Sequence, residues 1–148
     1  MHNFFPEAPD EKFNKKVLLM DLDLQFGDIA LMVNKQSELT LKELYDDNSV
    51  KSYEDVSPYL YKFKQGYDML FAPKDPESAE YINKDQIIET ISLLKKHYDY
   101  IVIDTPSVLG AADVNLIEEH GDGLLMAVRA GKTRARSIRA ALEQLGPA

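Results

Sequence analysis

Cysteine is absent from this chain, which excludes disulfide scaffolds, thiolate zinc sites and cysteine nucleophiles. Histidine is scarce: His2, His97 and His120 are the whole complement, and no two share the H-x-x-x-H spacing of a metal-binding pair. No apolar run reaches the ~18 residues that a membrane-spanning helix needs, and no signal-peptide pattern opens the chain. Positive charge is also in short supply, with 17 Lys and Arg against 25 Asp and Glu and a formal net charge of −8. Nucleic acid is repelled at long range by such a field unless a local patch reverses it, so no specific nucleic-acid partner is expected. What these absences leave is a cytoplasmic globular protein. Its 148 residues, 45% apolar and 28% charged, suffice for one domain with its own core.

Along the chain, apolar runs alternate with helical periodicity. Residues 1–16 contain Phe4-Phe5-Pro6 and Pro9 but no period, and read as a leader or ragged start. Val17-Leu18-Leu19-Met20 is a short continuous apolar run, as in a strand buried on both faces of a parallel sheet, and it ends in Asp21-Leu22-Asp23. Residues 27–34 and 40–44 predict two short helices, the second with Thr40 as N-cap and Glu43 closing a capping box. Residues 48–66 read as loop with short helix, and residues 67–73 as a strand stopped by Pro73. A helix over 85–97 places Ile87, Ile88, Ile91 and Leu94 on one face. The remaining elements are a strand over 100–104, a helix over 111–120, a strand over 124–128 and a helix from about Thr133. That last helix would turn Ile138, Ala141, Leu142 and Leu145 toward the core, and Tyr98 and Tyr100 would pack as core aromatics at a strand entrance. Such alternation predicts an α/β fold whose parallel sheet is covered on both faces, with residues 17–148 forming one domain.

Ligands in an open parallel sheet bind beyond the carboxyl ends of its strands. Two of the predicted strands end in acid at that rim: one in Asp21 and Asp23, the other in Asp104. A strand that delivers a carboxylate there can hold Mg²⁺, or its bound water, beside nucleotide phosphates. An aspartate can equally just end a strand and open a turn. Two such strands in one short chain favour the site.

Val17 to Asp28, VLLMDLDLQFGD, resembles the deviant Walker segment of MinD/ParA-type ATPases, and DLDLQFGD is similar in particular to CpaE and TadZ proteins of pilus assembly. Tyr98 to Leu109, YDYIVIDTPSVL, resembles the Walker B region of the same superfamily. The IDTP and GAAD phrases and Asp122 to Arg136, DGLLMAVRAGKTRAR, are also similar to bacterial tyrosine kinases of capsule and exopolysaccharide export. The resemblance covers about residues 17–146 and implies a three-layer P-loop NTPase fold with ATP and Mg²⁺ as cofactors. By resemblance, Asp23 positions the attacking water, Asp104 is the Walker B acid, and Asp21 and Asp104 serve the nucleotide and its metal through Mg²⁺-bound water. It further implies a homodimer and protein partners in a membrane-associated assembly, at the cytoplasmic side of the inner membrane. The leading expectation is a CpaE/MinD-like regulator of pilus or secretion assembly. The alternatives are a tyrosine kinase domain of polysaccharide export, favoured by Arg129 to Arg134, and a nucleotide-free binding module.

These ATPases place a strand, a lysine-bearing Gly-rich loop and a helix before the segment matching Val17. Residues 1–16 cannot hold all three and contain no glycine, so the expected domain is incomplete at both ends and binds ATP only if a P-loop is supplied. Gly131-Lys132-Thr133 has the tail of a P-loop, but G-x-x-x-x-G-K-[ST] needs a glycine where Met126 stands. Arg129, Lys132, Arg134, Arg136 and Arg139 form a basic cluster, read either as a solvated helix face or as a contact for an anionic partner.

Overall fold

The computed structural model describes residues 15–35, 37–47, 50–63, 67–109, 120–145 and the single positions Val114 and Ile117. The chain divides into two compact units, Met1–Asp104 and Thr105–Ala148. The first unit runs β1 (Val17–Asp21), α1 (Ile29–Met32), α2 (Leu41–Asp47), α3 (Tyr53–Val56), β2 (Tyr61–Lys62), β3 (Tyr67–Leu70), α4 (Lys84–Leu94) and β4 (Tyr100–Asp104). The second contains α5 (Ala135–Leu145).

The apolar run of β1 occupies the middle of a four-stranded sheet ordered β2-β3-β1-β4, with Leu18 and Met20 fully buried. β3 and β4 flank it in parallel, while β2 pairs antiparallel with β3 at one edge. This is the expected α/β fold with a mainly parallel sheet. Lys16 lengthens the seam between β1 and β4: its N–H donates to Asp99 Oδ2 at 2.8 Å, and its carbonyl accepts from the Asp99 N–H at 2.9 Å. The rest of the segment read as a leader, residues 1–14, lies outside the described residues.

Local sequence explains where the helices begin and end. Thr40 caps α2: its hydroxyl accepts the Lys42 N–H at 3.2 Å, while Glu43 Oε2 accepts the Thr40 N–H at 2.9 Å. α4 opens on a second capping box, in which Asn83 Oδ1 accepts the Asp85 N–H and Gln86 Oε1 accepts the Asn83 N–H. Its buried face is Ile87, Thr90, Ile91 and Leu94. Thr90 takes the place expected of the half-buried Ile88, because its hydroxyl bonds the Gln86 carbonyl at 2.7 Å and can be buried. α1 is shorter than the predicted 27–34 helix and stops before Asn34, whose φ of 52° is left-handed and breaks the helical repeat.

Several expectations are corrected. Leu124–Val128 is not a strand, and Leu125 is 98% exposed. An apolar run becomes a strand only when a neighbour pairs its backbone, and among the described residues none does. The two-residue β2 lay inside the stretch read as loop. Tyr98 is buried, but Tyr100 is 59% exposed on β4. Leu142 is likewise exposed, leaving Ala141 as the buried residue of α5. The helix expected over 111–120 lies, except for Val114, Ile117 and His120, outside the described residues.

Candidate functional site

Because β1 and β4 run parallel and in register, Asp21 stands opposite Asp104 at the carboxyl ends of both strands. The Leu22 N–H donates to the Asp104 carbonyl at 2.9 Å, carrying the chain one step further and placing Asp23 just past the rim. All three expected acids therefore meet at one edge of the sheet. They differ sharply in surroundings. Asp21 is 1% exposed, and its two oxygens accept the N–H groups of Asp23 at 3.2 Å and Ile29 at 3.3 Å. Asp23 opens a turn, with both its Oδ1 and its carbonyl accepting the Phe26 N–H at 3.2 Å. Asp104 is exposed on β4.

The chain from Leu22 to Ile29 thus wraps around one carboxyl group, and Gly27 is what lets it close. A Cβ there would lie 2.5 Å from Ala72 Cβ and 2.7 Å from Asp21 Oδ2. Gly27→Ala should cost about 1–3 kcal/mol of stability, the usual range for overpacking. Chemical denaturation would show it as a lower midpoint at unchanged slope, and an unchanged midpoint would mean the turn can move aside freely.

Burial pushes the Asp21 carboxyl up to about 6 from 3.8, the two backbone N–H bonds pull it down, and the nearby charges of Asp104 and Asp23 push it up again. Concentrated negative charge at a sheet rim favours a divalent cation. The donors fit that use unequally. Asp23 and Asp104 are the more accessible carboxylates, whereas each Asp21 oxygen already serves a backbone N–H and retains one lone pair for a metal-bound water. Among the described residues, no group of three or more His, Cys, Asp or Glu forms a complete metal cage. A Mg²⁺ held here would therefore take water and phosphate oxygens as its other ligands, as Mg²⁺ beside nucleotides does.

Gly131-Lys132-Thr133 offers no phosphate cradle. The N–H groups of Lys132 and Thr133 both donate to the Arg129 carbonyl, at 3.1 and 2.9 Å, and the Thr133 hydroxyl accepts the Arg129 N–H at 3.0 Å. The turn consumes internally the donors that a nest would aim at phosphate. What sequence reasoning missed is the supporting layer of the acidic site: Gly27 as a packing requirement and the Ile29 N–H as a partner of Asp21. A glycine four residues after an Asp-x-Asp strand end is the one available signal.

No family model matches the chain. The fold is of one class, that seen in P-loop proteins of MinD/ParA type. The septum site-determining protein MinD of Pyrococcus horikoshii, solved in complex with Mg-ADP, aligns at a TM-score of 0.54 with 25% identity, over 65% of this chain and 38% of that one. Within that class, the kinase domain of Escherichia coli tyrosine kinase ETK aligns at a TM-score of 0.75 with 21% identity, over 90% of this chain and 51% of that domain. In sequence, the tyrosine-protein kinase ptk of Acinetobacter johnsonii is 26% identical over 132 residues, covering 88% of this chain and 18% of the kinase. The chain thus spans less than a fifth of that relative's length. These similarities favour the tyrosine-kinase alternative over the CpaE/TadZ reading, whose support stays at the level of the fold. Among the described residues, no helix is long and apolar enough to cross a membrane.

Proposed function

We propose that this chain forms the body of a nucleotide-dependent domain of the bacterial tyrosine-kinase type, serving capsule or exopolysaccharide export from the cytoplasmic side of the membrane. The observation that carries the reading is the register of Asp21 with Asp104, with the Asp23 turn directly beyond. In this reading Asp104 and Asp23 hold metal-bound and attacking water, and Asp21 holds the turn that sets Asp23 in place. Mg²⁺ would supply neutralisation of the charge that develops on the transferred phosphoryl group. A homodimer and protein partners of a membrane-associated export assembly belong to the same reading.

The sequence contains no G-x-x-x-x-G-K-[ST], so the chain alone should bind ATP more weakly than millimolar. A longer chain, with a strand, a phosphate-binding loop and a helix placed before Val17, should bind it at micromolar concentration. In that longer chain Asp23→Ala should reduce turnover about 100-fold or more with little change in nucleotide affinity, because orienting water is a transition-state contribution. Asp104→Ala should weaken Mg²⁺-dependent nucleotide binding as well. Titration calorimetry and phosphate release separate the two effects. Full turnover in Asp23→Ala would remove that residue from the mechanism. No nucleotide binding by the longer chain would replace the enzyme with a nucleotide-free binding module. Hydrolysis without tyrosine phosphorylation would return the reading to CpaE/TadZ, which residues 25–28 support.

A further inference from the structure

All four arginines of the chain lie within residues 129–139, together with Lys132 and no acid. The surrounding acid-free stretch is longer, from Gly123 to Leu142, in a chain whose other twelve cations face twenty-five acids. Arg129, Lys132, Arg134, Arg136 and Arg139 are all exposed, and none of their side chains forms an ion pair with another described residue. In α5, Arg136 and Arg139 are three positions apart and share one flank, whereas the buried Ala141 and half-buried Ile138 share another. The same stretch also exposes Leu124, Leu125, Val128 and Leu142.

We propose that residues 123–142 form an interfacial docking surface for anionic phospholipid bilayers. The arginines and Lys132 take the lipid phosphates, and Leu125 with its apolar neighbours enters the head-group layer. Guanidinium groups pair phosphate oxygens in a fork that ammonium groups cannot match, which suits a patch made mainly of arginine. A soluble anion or an acidic protein segment would satisfy the cations and leave the leucines in water, while a bilayer surface takes both. The acidic remainder of the molecule does not forbid the contact. At physiological ionic strength charges are screened beyond ~8 Å, so the face that meets the membrane decides the sign. The proposal goes beyond the nucleotide reading and stands or falls without it.

The test is co-sedimentation of the full chain with phosphatidylcholine vesicles, with and without phosphatidylglycerol, and in parallel its binding to duplex DNA. Binding is expected only to the anionic vesicles. The triple variant Arg134→Glu, Arg136→Glu, Arg139→Glu should lower partitioning about 100-fold or more, since each cation near an anionic surface is worth about fivefold. Leu125→Ser should lower it about fivefold without affecting DNA. These side chains are exposed, so the fold survives the changes, which circular dichroism verifies. Absence of binding to anionic vesicles, or full binding by the triple variant, overturns the proposal. So does vesicle binding that is insensitive to Leu125→Ser and matched by DNA, which would mark a general polyanion site.

Discussion

Phe71→Ala is expected to remove about 3–5 kcal/mol of stability, the range for truncating a fully buried aromatic side chain. Phe71 is 1% exposed and packs with Ile29 and Met69, with the Tyr61 ring centred 5.8 Å from its own. Its carbonyl accepts the Leu41 N–H at 3.0 Å, so the same residue joins the end of β3 to the start of α2. The cavity would open beneath Ile29, whose N–H holds Asp21. Loss of packing should therefore also loosen the turn that carries Asp23. A domain with 5–15 kcal/mol in total would lose a large fraction of it. Urea titration at constant slope should give this loss, and a value below about 1 kcal/mol would show that the neighbours collapse into the space.

The second large effect is on pH dependence. In the folded chain the Asp21 carboxyl titrates near 6, against an ordinary 3.8, chiefly because it is buried. Between those values the folded chain holds a proton that the unfolded chain releases, so this contribution is fully present below about pH 4 and is lost as pH rises through 6. The loss amounts to about 3 kcal/mol. Asp55, Asp75 and Asp99 act in the opposite sense, since their hydrogen bonds hold them below the usual carboxylate range. The Asp21 effect is therefore best read as a difference between the wild type and Asp21→Asn. The amide gives up one of the two backbone N–H bonds, a cost that does not vary with pH. Relative to that variant, the wild type should lose stability steadily from pH 4 to pH 7. Denaturation midpoints at four pH values test this, and a flat difference would place the Asp21 carboxyl in ordinary solvent.

Much of this architecture could be read from the chain because it is written locally. β1 and β4 each consist of an apolar run closed by an acid, and Thr40 with Glu43 cap a helix by a rule that spans four residues. The features that escaped are those decided at a distance. Tyr61 and Lys62 form a strand only because Met69 and Asp68 pair with them, and nothing in two residues announces that. Leu124 to Val128 has the composition of a strand and lacks a partner among the described residues. At the site, the positions of the three acids could be read, but their division of labour could not. That division follows from which carboxyl group the turn over residues 22–29 encloses, and it is Asp21.

The order of strands in the sheet has a consequence for how the molecule comes to be made. β1 lies between β3 and β4, yet it is synthesised before either of them. Val17 pairs with Tyr67 on one side and Tyr100 on the other, partners that lie fifty and eighty-three residues further along. At ribosomal speeds of ~5–20 residues per second, that leaves the apolar stretch Val17–Met20 waiting roughly 4–17 s for its second neighbour. Both pairings are long-range, which also makes them slow to form once the chain is complete. A nascent chain carrying an uncovered hydrophobic segment for that interval is a natural client for holdase chaperones. Yield in a cell should then depend on translation rate and growth temperature more than the equilibrium stability of the finished protein would suggest.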